Sequence, residues 1–366
     1  MSRPESPKSG ADATRPAPSP PSAPDPRPAL TDLPLDDFDV LAELPGARKF
    51  TPKQIRAWVW QRGARNVDAM TDLSKPLRAA LNERYRVRRS ALSSTHPSND
   101  GTLGVLSRLD DGEVIESVSI PEERRHTLCL SSQVGCAVRC SFCASGQQGV
   151  TRNLSAGEIL EQILLVRELR PELPLSNYVF MGSGEPTHNL ANVLAAIRVM
   201  NADEGLGIGA RRITVSTVGN PAALTKLAEE PIPFHVALSL HSPEDAQREQ
   251  LMPGLGRSDL RASLAAARER FERNHRRLTI EVAVMAGVND DTRTGHALIE
   301  LLRGYPAIVN LIPWNPVDGL PHRAPEAAKV DALADQLGAA GLTTTVRRPR
   351  GQDVGVACGQ LRRHAH

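Results

Sequence analysis

The sequence of 366 residues predicts an α/β protein in which a parallel sheet curls into a partial barrel of six strand–helix units. From about residue 126 onward, strand-like and helix-like runs alternate at intervals of roughly 25–45 residues, and parallel neighbours need such helical crossovers. The Gly-x-Gly-x-x-Gly fingerprint expected of a flat nucleotide-binding sheet is missing after the first of these strands. Polar residues follow several strands, at the end where barrel enzymes place their sites.

Composition places the chain among ordinary globular proteins. Hydrophobic residues make up 40% and charged residues 23% of the sequence, which is typical of a water-soluble domain. No apolar run approaches the ~20 residues that cross a bilayer, and the N-terminus lacks the apolar core of a secretory signal. We therefore expect a cytoplasmic protein. The net charge of +2 is too small to indicate nucleic-acid binding by itself.

The first part of the chain is predicted to be a disordered tail followed by a helical accessory domain. Residues 1–34 hold ten of the 29 prolines, and such a stretch buries too little apolar surface to offset its ordering entropy. Residues 35–100 contain two helix patterns. The first has Thr51 as a candidate N-cap and Pro52 at the first helical position, and the second spans LSKPLRAALNERYRVRRS.

Four arginines lie at the end of the second helix pattern: Arg84, Arg86, Arg88 and Arg89. One interpretation is a solvated helix face. The alternative is a patch that contacts nucleic-acid phosphates.

A short β-hairpin is predicted to lead into the barrel. Within residues 101–125 the run SRLDDGEVIESVSI places Asp-Gly between two alternating segments, which favours a hairpin. The barrel is predicted over residues 126–350, and residues 351–366 form a separate C-terminal segment. The six barrel strands are TLCLSSQ, NYVFMG, RITVSTVG, FHVALSLH, LTIEVAVM and AIVNLIPW. The helices between and after them are SAGEILEQILLVREL, NVLAAIRVM, ALTKLAEE, SLAAARERFER, GHALIELLRGY and AAKVDALADQLGAAG, before a last strand, TTTVRR.

The most informative motif is a Cys-x3-Cys-x2-Cys triplet in the run GCAVRCSFCAS, formed by Cys136, Cys140 and Cys143. Three thiolates on one loop can bind three irons of a 4Fe–4S cluster and leave the fourth iron open to a substrate-like molecule. A structural zinc site is the alternative, but it needs four ligands, usually in two pairs. The other cysteines, Cys129 and Cys358, belong to no second pair. Stable disulfides are rare in the reducing compartment expected here.

Polar groups follow five separate strands. The cysteine triplet follows the first strand and MGSGEP the second, Ser216 ends the third, and the fourth and sixth end in Ser239-Leu240-His241 and Asn315. A glycine-rich turn alone is more often only a turn. Because the carboxyl ends of parallel strands share one rim, their joint position predicts a single site there.

The triplet, the GEP turn and the six strand–helix units together resemble the radical S-adenosylmethionine (SAM) superfamily. The resemblance implies a partial (β/α)6 barrel of the radical SAM type, here with the helical accessory domain and the hairpin attached. It also implies a 4Fe–4S cluster whose open iron is chelated by the amino and carboxyl groups of SAM. One electron from the cluster would cleave SAM to methionine and a 5′-deoxyadenosyl radical. Gly184 and Glu185 of the turn would hold the SAM amino group.

Longer stretches are similar to the adenosine-C2 RNA methyltransferases of the RlmN type. They include TLCLSSQVGCAVRCSFCASGQQGVTRNL, VALSLHSP, NLIPWNP and TTTVRRPRGQDVGVACGQL, and the likeness covers roughly residues 35–362. The turn reads MGSGEP where MGMGEP is common, and Ala144-Ser145 departs from the usual pair after the third cysteine. Neither departure removes a ligating group. The resemblance implies further SAM contacts from Ser216, Ser239, Leu240, His241 and Asn315.

The same resemblance implies roles for the remaining candidate residues. Glu116, within VIESV, would be the catalytic carboxylate, Cys358 would carry a methyl group, and Cys129 would resolve a covalent intermediate. Carbon C2 of adenine is electron-poor, so polar displacement from SAM cannot methylate it. The resemblance implies that a methyl group would first be transferred to the Cys358 thiolate, which is a good nucleophile, and would then be added to C2 as a methylene radical. SAM would serve twice per turnover, and a Cys129–Cys358 disulfide would remain to be reduced.

The partners implied are 23S rRNA and tRNA as substrates and a flavodoxin- or ferredoxin-type electron donor. We expect no membrane partner and a monomeric protein. The segment around Cys358 is basic, with Arg347, Arg348, Arg350, Arg362 and Arg363, which would draw phosphates to the site.

Two other functions stay open at this point. The related Cfr type methylates adenosine C8 with the same catalytic residues, although the long N-terminal unit favours C2. A non-catalytic RNA-binding module with a structural metal centre would leave SAM intact.

Overall fold

The computed structural model describes residues 25–347 and 350–355. Its α-helices are α1 (Thr51–Trp60), α2 (Lys75–Arg84), α3 (Ala156–Leu169), α4 (Leu190–Asn201), α5 (Pro221–Glu229), α6 (Asp245–Leu251), α7 (Leu260–Asn274), α8 (Thr292–Leu302) and α9 (Ala327–Ala339). Its strands are β1 (Ala91–Pro97), β2 (Leu103–Arg108), β3 (Val114–Pro121), β4 (His126–Cys129), β5 (Gln133–Gly135), β6 (Val150–Asn153), β7 (Asn177–Phe180), β8 (Ile213–Thr217), β9 (His235–Ser239), β10 (Leu278–Val284), β11 (Ala307–Pro313) and β12 (Thr343–Val346).

One large sheet organises the molecule. Its strand order is β1-β2-β3-β4-β7-β8-β9-β10-β11-β12, with antiparallel pairing from β1 to β4 and parallel pairing from β4 to β12. Each strand from β4 to β11 is followed by at least one helix before the next parallel strand. The predicted α/β fold with six strand–helix units and a closing strand is therefore confirmed.

Helix α3 shows how local sequence sets one of these crossovers. Ser155 accepts a hydrogen bond from the Glu158 amide, and the Glu158 carboxylate accepts one from the Ser155 amide. This capping box satisfies two otherwise unpaired helix-end donors. The helix then packs apolar residues such as Ile159 and Ile163, both fully buried, into the main core. No helix among the described residues is both long and apolar enough to span a bilayer.

The predicted disordered tail, residues 1–34, is wrong for its last part. Residues 1–24 lie outside the described region, but Leu30–Asp32 form a 3-10 turn in which Leu30 and Thr31 are buried. Thr31 donates a 2.5 Å hydrogen bond to the buried carboxylate of Glu161 on α3. The high proline content of the tail gave no sign of this contact. A few buried residues that bond to a distant helix are enough to order a short segment.

The helical prediction for residues 35–100 is wrong at its C-terminal end. Helices α1 and α2 lie within the two predicted segments, but the N-cap of α1 is Phe50 rather than Thr51. Helix α2, with Ser74 as its N-cap, ends at Arg84 instead of continuing through the arginine run, and residues 91–97 form strand β1. The predicted hairpin is present as β2 and β3, with Gly112 in the turn at φ +85°. Together with β1, the hairpin forms a three-stranded antiparallel extension whose strand β3 pairs with β4.

Of the four arginines in the run, Arg84 alone is exposed. The other three, Arg86, Arg88 and Arg89, fit neither a solvated helix face nor a patch that contacts phosphates. Arg86 donates to Asp110 with a 2.8 Å hydrogen bond, and Arg89 pairs with Asp32 and Asp110. Arg88 pairs with Glu168 on α3 at 3.6 Å. These guanidinium groups hold the N-terminal region to the barrel, because their acidic partners come from distant parts of the chain.

Candidate active site

The predicted site residues converge on a cavity of about 280 Å³ at the carboxyl ends of the parallel strands. This volume lies near the lower end of the range for ligand pockets. The walls combine apolar side chains, among them Phe142, Ile312 and Trp314, with polar groups from several strands. The predicted site residues that line it are Glu116, Cys129, Cys136, Cys140, Cys143, Gly184, Glu185, Ser216, Ser239, His241 and Asn315.

The three cysteines of the triplet lie on a loop that leaves β5 and returns through β6. The loop is closed by a 2.8 Å hydrogen bond from the Cys136 amide to the Gly149 carbonyl. It is also anchored to the α6 region, since the Ser141 amide donates to the Leu251 carbonyl at 2.8 Å. Trp314, after β11, donates from its indole nitrogen to the Phe142 carbonyl at 2.8 Å. The loop is therefore held rigidly at the cavity wall.

These thiols suit an iron–sulfur cluster by their chemistry and placement. All three are half-buried and line the same cavity. Burial raises the pKa of the Cys136 thiol to about 12 and also raises those of Cys140 and Cys143. Because iron binds the thiolate, cluster assembly would release these protons. Among the described residues no three acidic, histidine or cysteine side chains are placed to hold a single metal ion; in a cluster each thiolate binds its own iron.

The GEP turn after β7 is shaped by its own carboxylate. Glu185 Oε1 accepts hydrogen bonds from the Thr187 amide (3.1 Å) and hydroxyl (2.7 Å), and its Oε2 accepts one from the Val218 amide at 3.0 Å. The Glu185 amide donates to Gln133 Oε1 at 2.9 Å. The turn is thus fixed between β5 and the end of β8, with Gly184 and Glu185 facing the cavity.

Serines and a histidine form the next part of the wall. The hydroxyls of Ser216 and Ser239, on neighbouring strands, are 3.1 Å apart. His241 Nδ1 accepts a 3.1 Å hydrogen bond from the Ala283 amide, so Nε2 carries the proton of the neutral ring. Burial, and secondarily Arg248, lowers the pKa of His241 to about 3. His241 is therefore a neutral donor at the cavity surface.

Glu116 and Cys129 share one face of the sheet. Val118 of β3 pairs with Cys129 of β4, and Glu116 lies two residues before Val118, on the same face of the strand. Glu116 is 3% exposed and lines the cavity with Cys129. The carboxylate and the non-cluster cysteine are thus brought to the cavity by adjacent strands.

Two predicted residues are not seen in the cavity wall. Leu240 is fully buried, and its side chain packs in the main core while its flanking residues Ser239 and His241 line the cavity. Cys358 lies outside the described residues. Its predicted role and that of Leu240 stay predictions.

One buried carboxylate in the cavity wall was not identified from the sequence. Glu281 on β10 is 5% exposed, lines the cavity and accepts a 2.8 Å hydrogen bond from the side-chain Nδ2 of Asn310. Burial raises the pKa of its carboxyl group. The sequence did contain a signal for Glu281, which is the one carboxylate in the apolar strand run LTIEVAVM. An acidic side chain is seldom buried without a partner or a function.

Gly184 is expected to tolerate no side chain. Its φ is +109°, and an added Cβ would lie 2.7 Å from both the Gln133 backbone and the Ser132 hydroxyl. We expect the free energy of unfolding of Gly184→Ala to fall by more than the ~1–2 kcal/mol that a left-handed backbone costs an L-residue. The resemblance implies that this turn holds SAM, so we expect SAM binding to be lost as well when the turn shifts. Gly207→Ala is the matched control, since Gly207 has φ +63° with no atom within 4 Å. Denaturant unfolding and equilibrium dialysis with labelled SAM measure both effects. Equal losses in the two variants would contradict the close-packing argument.

Two family models match this chain, one over the barrel and one over the N-terminal region. The model of the radical SAM superfamily matches residues 130–298, and that of the ribosomal RNA large subunit methyltransferase N-terminal domain matches residues 29–87. The dual-specificity RNA methyltransferase RlmN of Anaeromyxobacter sp. is 43% identical over 352 residues, covering 94% of this chain and 93% of the relative. A probable RlmN of Thermus thermophilus is 43% identical and covers 87% and 90%.

A solved structure supports the same assignment. The crystal structure of a radical SAM methyltransferase from Sphaerobacter thermophilus superposes with a TM-score of 0.87 at 39% identity, covering 91% of this chain and 98% of the other. Sequence identity, coverage and fold agree over nearly the whole length. The chain belongs to the RlmN family of radical SAM RNA methyltransferases.

Proposed function

We propose that the protein methylates C2 of adenosine in 23S rRNA and tRNA through an S-methylcysteine at Cys358. The observation that carries this proposal is a fourth cysteine, Cys129, in the same cavity as the cysteine triplet and the buried carboxylate of Glu116. A simple radical SAM site needs only the triplet. A further thiol beside it supports a covalent intermediate that a second cysteine resolves.

The residues that would hold the cofactors are distinct from those that would act on RNA. Cys136, Cys140 and Cys143 would bind the 4Fe–4S cluster. Gly184, Glu185, Ser216, Ser239, Leu240, His241 and Asn315 would contact SAM, with His241 as a neutral hydrogen-bond donor. Bound there and reduced by a flavodoxin- or ferredoxin-type carrier, the cluster would supply one-electron chemistry: an electron to cleave SAM to methionine and a 5′-deoxyadenosyl radical, and a site to take up the electron that the RNA adduct releases.

Cys358 would act first as a nucleophile. Its thiolate takes the methyl group of one SAM, so that the methyl–sulfonium bond breaks and S-adenosylhomocysteine leaves. The S-methyl group then loses a hydrogen atom to the radical made from a second SAM, and the resulting methylene carbon bonds to C2 of adenine. Glu116, on the same sheet face as Cys129, would take the C2 proton.

Cys129 would complete the reaction. Its thiolate attacks the sulfur of Cys358, which forms a disulfide and breaks the carbon–sulfur bond to RNA. The released carbon keeps the electron pair and takes up a proton, giving the methyl group. An external thiol reductant must then reduce the disulfide before the next turnover.

The C8 alternative is less well supported. The relatives reported above are named RlmN, and the N-terminal region from residue 29 matches the corresponding family model. We expect RNA from cells lacking the gene to lose 2-methyladenosine, as measured by nucleoside mass spectrometry with chromatographic separation of the 2-methyl and 8-methyl isomers. Unchanged 2-methyladenosine, or loss of the 8-methyl isomer instead, would refute the assignment.

A further inference from the structure

The described C-terminal segment, residues 350–355, folds back from the barrel onto the turn between β1 and β2. Asp353 Oδ1 accepts a 2.5 Å hydrogen bond from the Ser98 hydroxyl, and its Oδ2 accepts one of 2.9 Å from the Asn99 amide. In return the Gly351 amide donates to Asp100 Oδ2 at 3.0 Å. Residues about 250 positions apart in sequence are thus joined by three hydrogen bonds to carboxylates, the stronger class of hydrogen bond. We call these contacts the C-terminal latch.

The turn side of the latch also has hydrogen bonds of its own. Asp100 Oδ1 accepts from the Thr102 amide at 2.9 Å, and the Ser98 amide donates to the Thr102 carbonyl at 2.8 Å. Although partial burial opposes it, hydrogen bonds from Gly351 and Thr102 lower the pKa of Asp100. The hydrogen bond from Ser98 lowers that of Asp353. Both carboxylates therefore stay ionised near neutral pH and keep their acceptor capacity.

An apolar contact accompanies the latch and reaches the active site. Val354 packs against the small core of Leu106, Val118 and Ile120, and Cys129 packs against the same core. Thr102, at the end of the turn, lines the active-site cavity, as do Arg347 and Arg350 from the C-terminal side. The latch is therefore beside the resolving cysteine rather than on a remote surface.

Backbone geometry defines the latched segment. Gly351 (φ +66°) and Gly355 (φ +62°) lie on either side of the 3-10 turn Gln352–Val354, in the left-handed region that glycine adopts without penalty. Cys358 follows Gly355 by three residues. Three residues of extended chain span at most about 10 Å, so the position of Gly355 limits where the methyl-carrying thiol can go.

We propose that Asp353, held by Ser98 and Asn99, is a positioning residue that keeps the C-terminal segment docked so that Cys358 meets SAM, the RNA base and Cys129 in turn. This inference rests on the proposed function, since it concerns the delivery of Cys358. A single thiol that must react with three partners in turn reacts faster when it is held close to them. A displacement of about 1 Å can lower the reaction rate ~100-fold. Asp353 itself is exposed, so its side chain holds the segment through hydrogen bonds rather than through its own burial.

The test uses the full-length holoenzyme with Asp353→Ala, Ser98→Ala and the double variant. We expect the rate of Cys358 S-methylation, followed by peptide mass spectrometry, to fall roughly 10–100-fold in Asp353→Ala, while uncoupled cleavage of SAM to 5′-deoxyadenosine continues. Hydrogen exchange of residues 350–355 should rise. The double variant should be no slower than Asp353→Ala, because the two single changes remove the same hydrogen bond between Ser98 and Asp353. Asp353→Asn, which keeps one acceptor oxygen, should recover part of the rate.

Asp331→Ala is the matched control, since Asp331 is an exposed aspartate on α9 that takes no part in the latch contacts. It should leave Cys358 methylation and hydrogen exchange unchanged. A proportional fall in SAM cleavage and Cys358 methylation in Asp353→Ala would indicate a general structural defect and overturn the proposal. Faster exchange with unchanged Cys358 methylation would overturn it too, because the contact would then exist without positioning the thiol. Absence of S-methylation at Cys358 in the wild type would refute the proposed function itself, even if the exchange result confirmed the contact.

Discussion

The Cys129→Ala variant is expected to accumulate a covalent protein–RNA species. Its cavity keeps the cysteine triplet and Glu116, so under the proposed mechanism Cys358 would still be methylated and would still bond to C2 of the adenine. Without the Cys129 thiolate nothing attacks the Cys358 sulfur, and the carbon–sulfur bond to RNA persists. We expect at most one adduct per protein molecule and loss of multiple turnover. Denaturing electrophoresis with labelled RNA, followed by mass spectrometry of the adducted peptide, measures the outcome.

Three further variants serve as comparisons for this prediction. Cys358→Ala should form no adduct, because the carbon bonded to RNA comes from the methyl group on that sulfur. The double variant should resemble Cys358→Ala. Gly207→Ala, which alters an open position outside the cavity, should turn over without accumulating an adduct. If Cys129→Ala and Cys358→Ala behaved alike, the division of roles between the two cysteines would be wrong.

Replacing Cys140 by alanine is expected to abolish cluster binding and all SAM cleavage. In the proposed site three thiolates hold the cluster, so the variant lacks one iron ligand, while the loop that carries the other two stays anchored at Ser141 and Phe142. Iron and sulfide content after anaerobic reconstitution, the visible absorption of the cluster and the yield of 5′-deoxyadenosine measure the loss. Cys136→Ala and Cys143→Ala should behave in the same way.

The matched cysteine control for cluster content is Cys129→Ala. Cys129 lies at the end of β4, outside the loop between β5 and β6, so its removal should leave the iron content at the wild-type level. A Cys140→Ala protein that kept full iron content and SAM cleavage would contradict the assignment of the triplet. Equal stability of Cys140→Ala and Cys129→Ala in the metal-free state would show that loss of iron is not a consequence of misfolding.

Much of the barrel could be predicted because its elements carry strong local signals. Buried parallel strands read as short apolar runs, and the helices between them show caps such as Ser155 with Glu158. Helix α6 escaped prediction since it has only seven residues, DAQREQL, and no apolar periodicity. The Leu251 carbonyl of this helix accepts a hydrogen bond from the cysteine loop. The contact joins distant parts of the chain, so no local pattern in the sequence encodes it.

The N-terminal region shows the opposite case. Its prolines predicted disorder as far as residue 34, and its arginines predicted a surface or a phosphate patch. In the structure Thr31 and the amides of Arg89 and Ser90 all donate to one buried carboxylate, Glu161. Burial raises the pKa of Glu161, and these hydrogen bonds oppose that rise. Partners separated by more than 70 residues cannot be read from composition.

The sequence by itself determined the fold class, the cluster motif and the family, because each rests on local patterns or on order along the chain. Only the tertiary structure decided which groups share the cavity and how they are held. It added Glu281 to the wall, left the Leu240 side chain in the core, and joined Asp353 to Ser98 beside Cys129. The physical reason is that hydrogen-bond partners and burial depend on distances between strands and turns far apart in sequence, and those distances exist only once the sheet has formed.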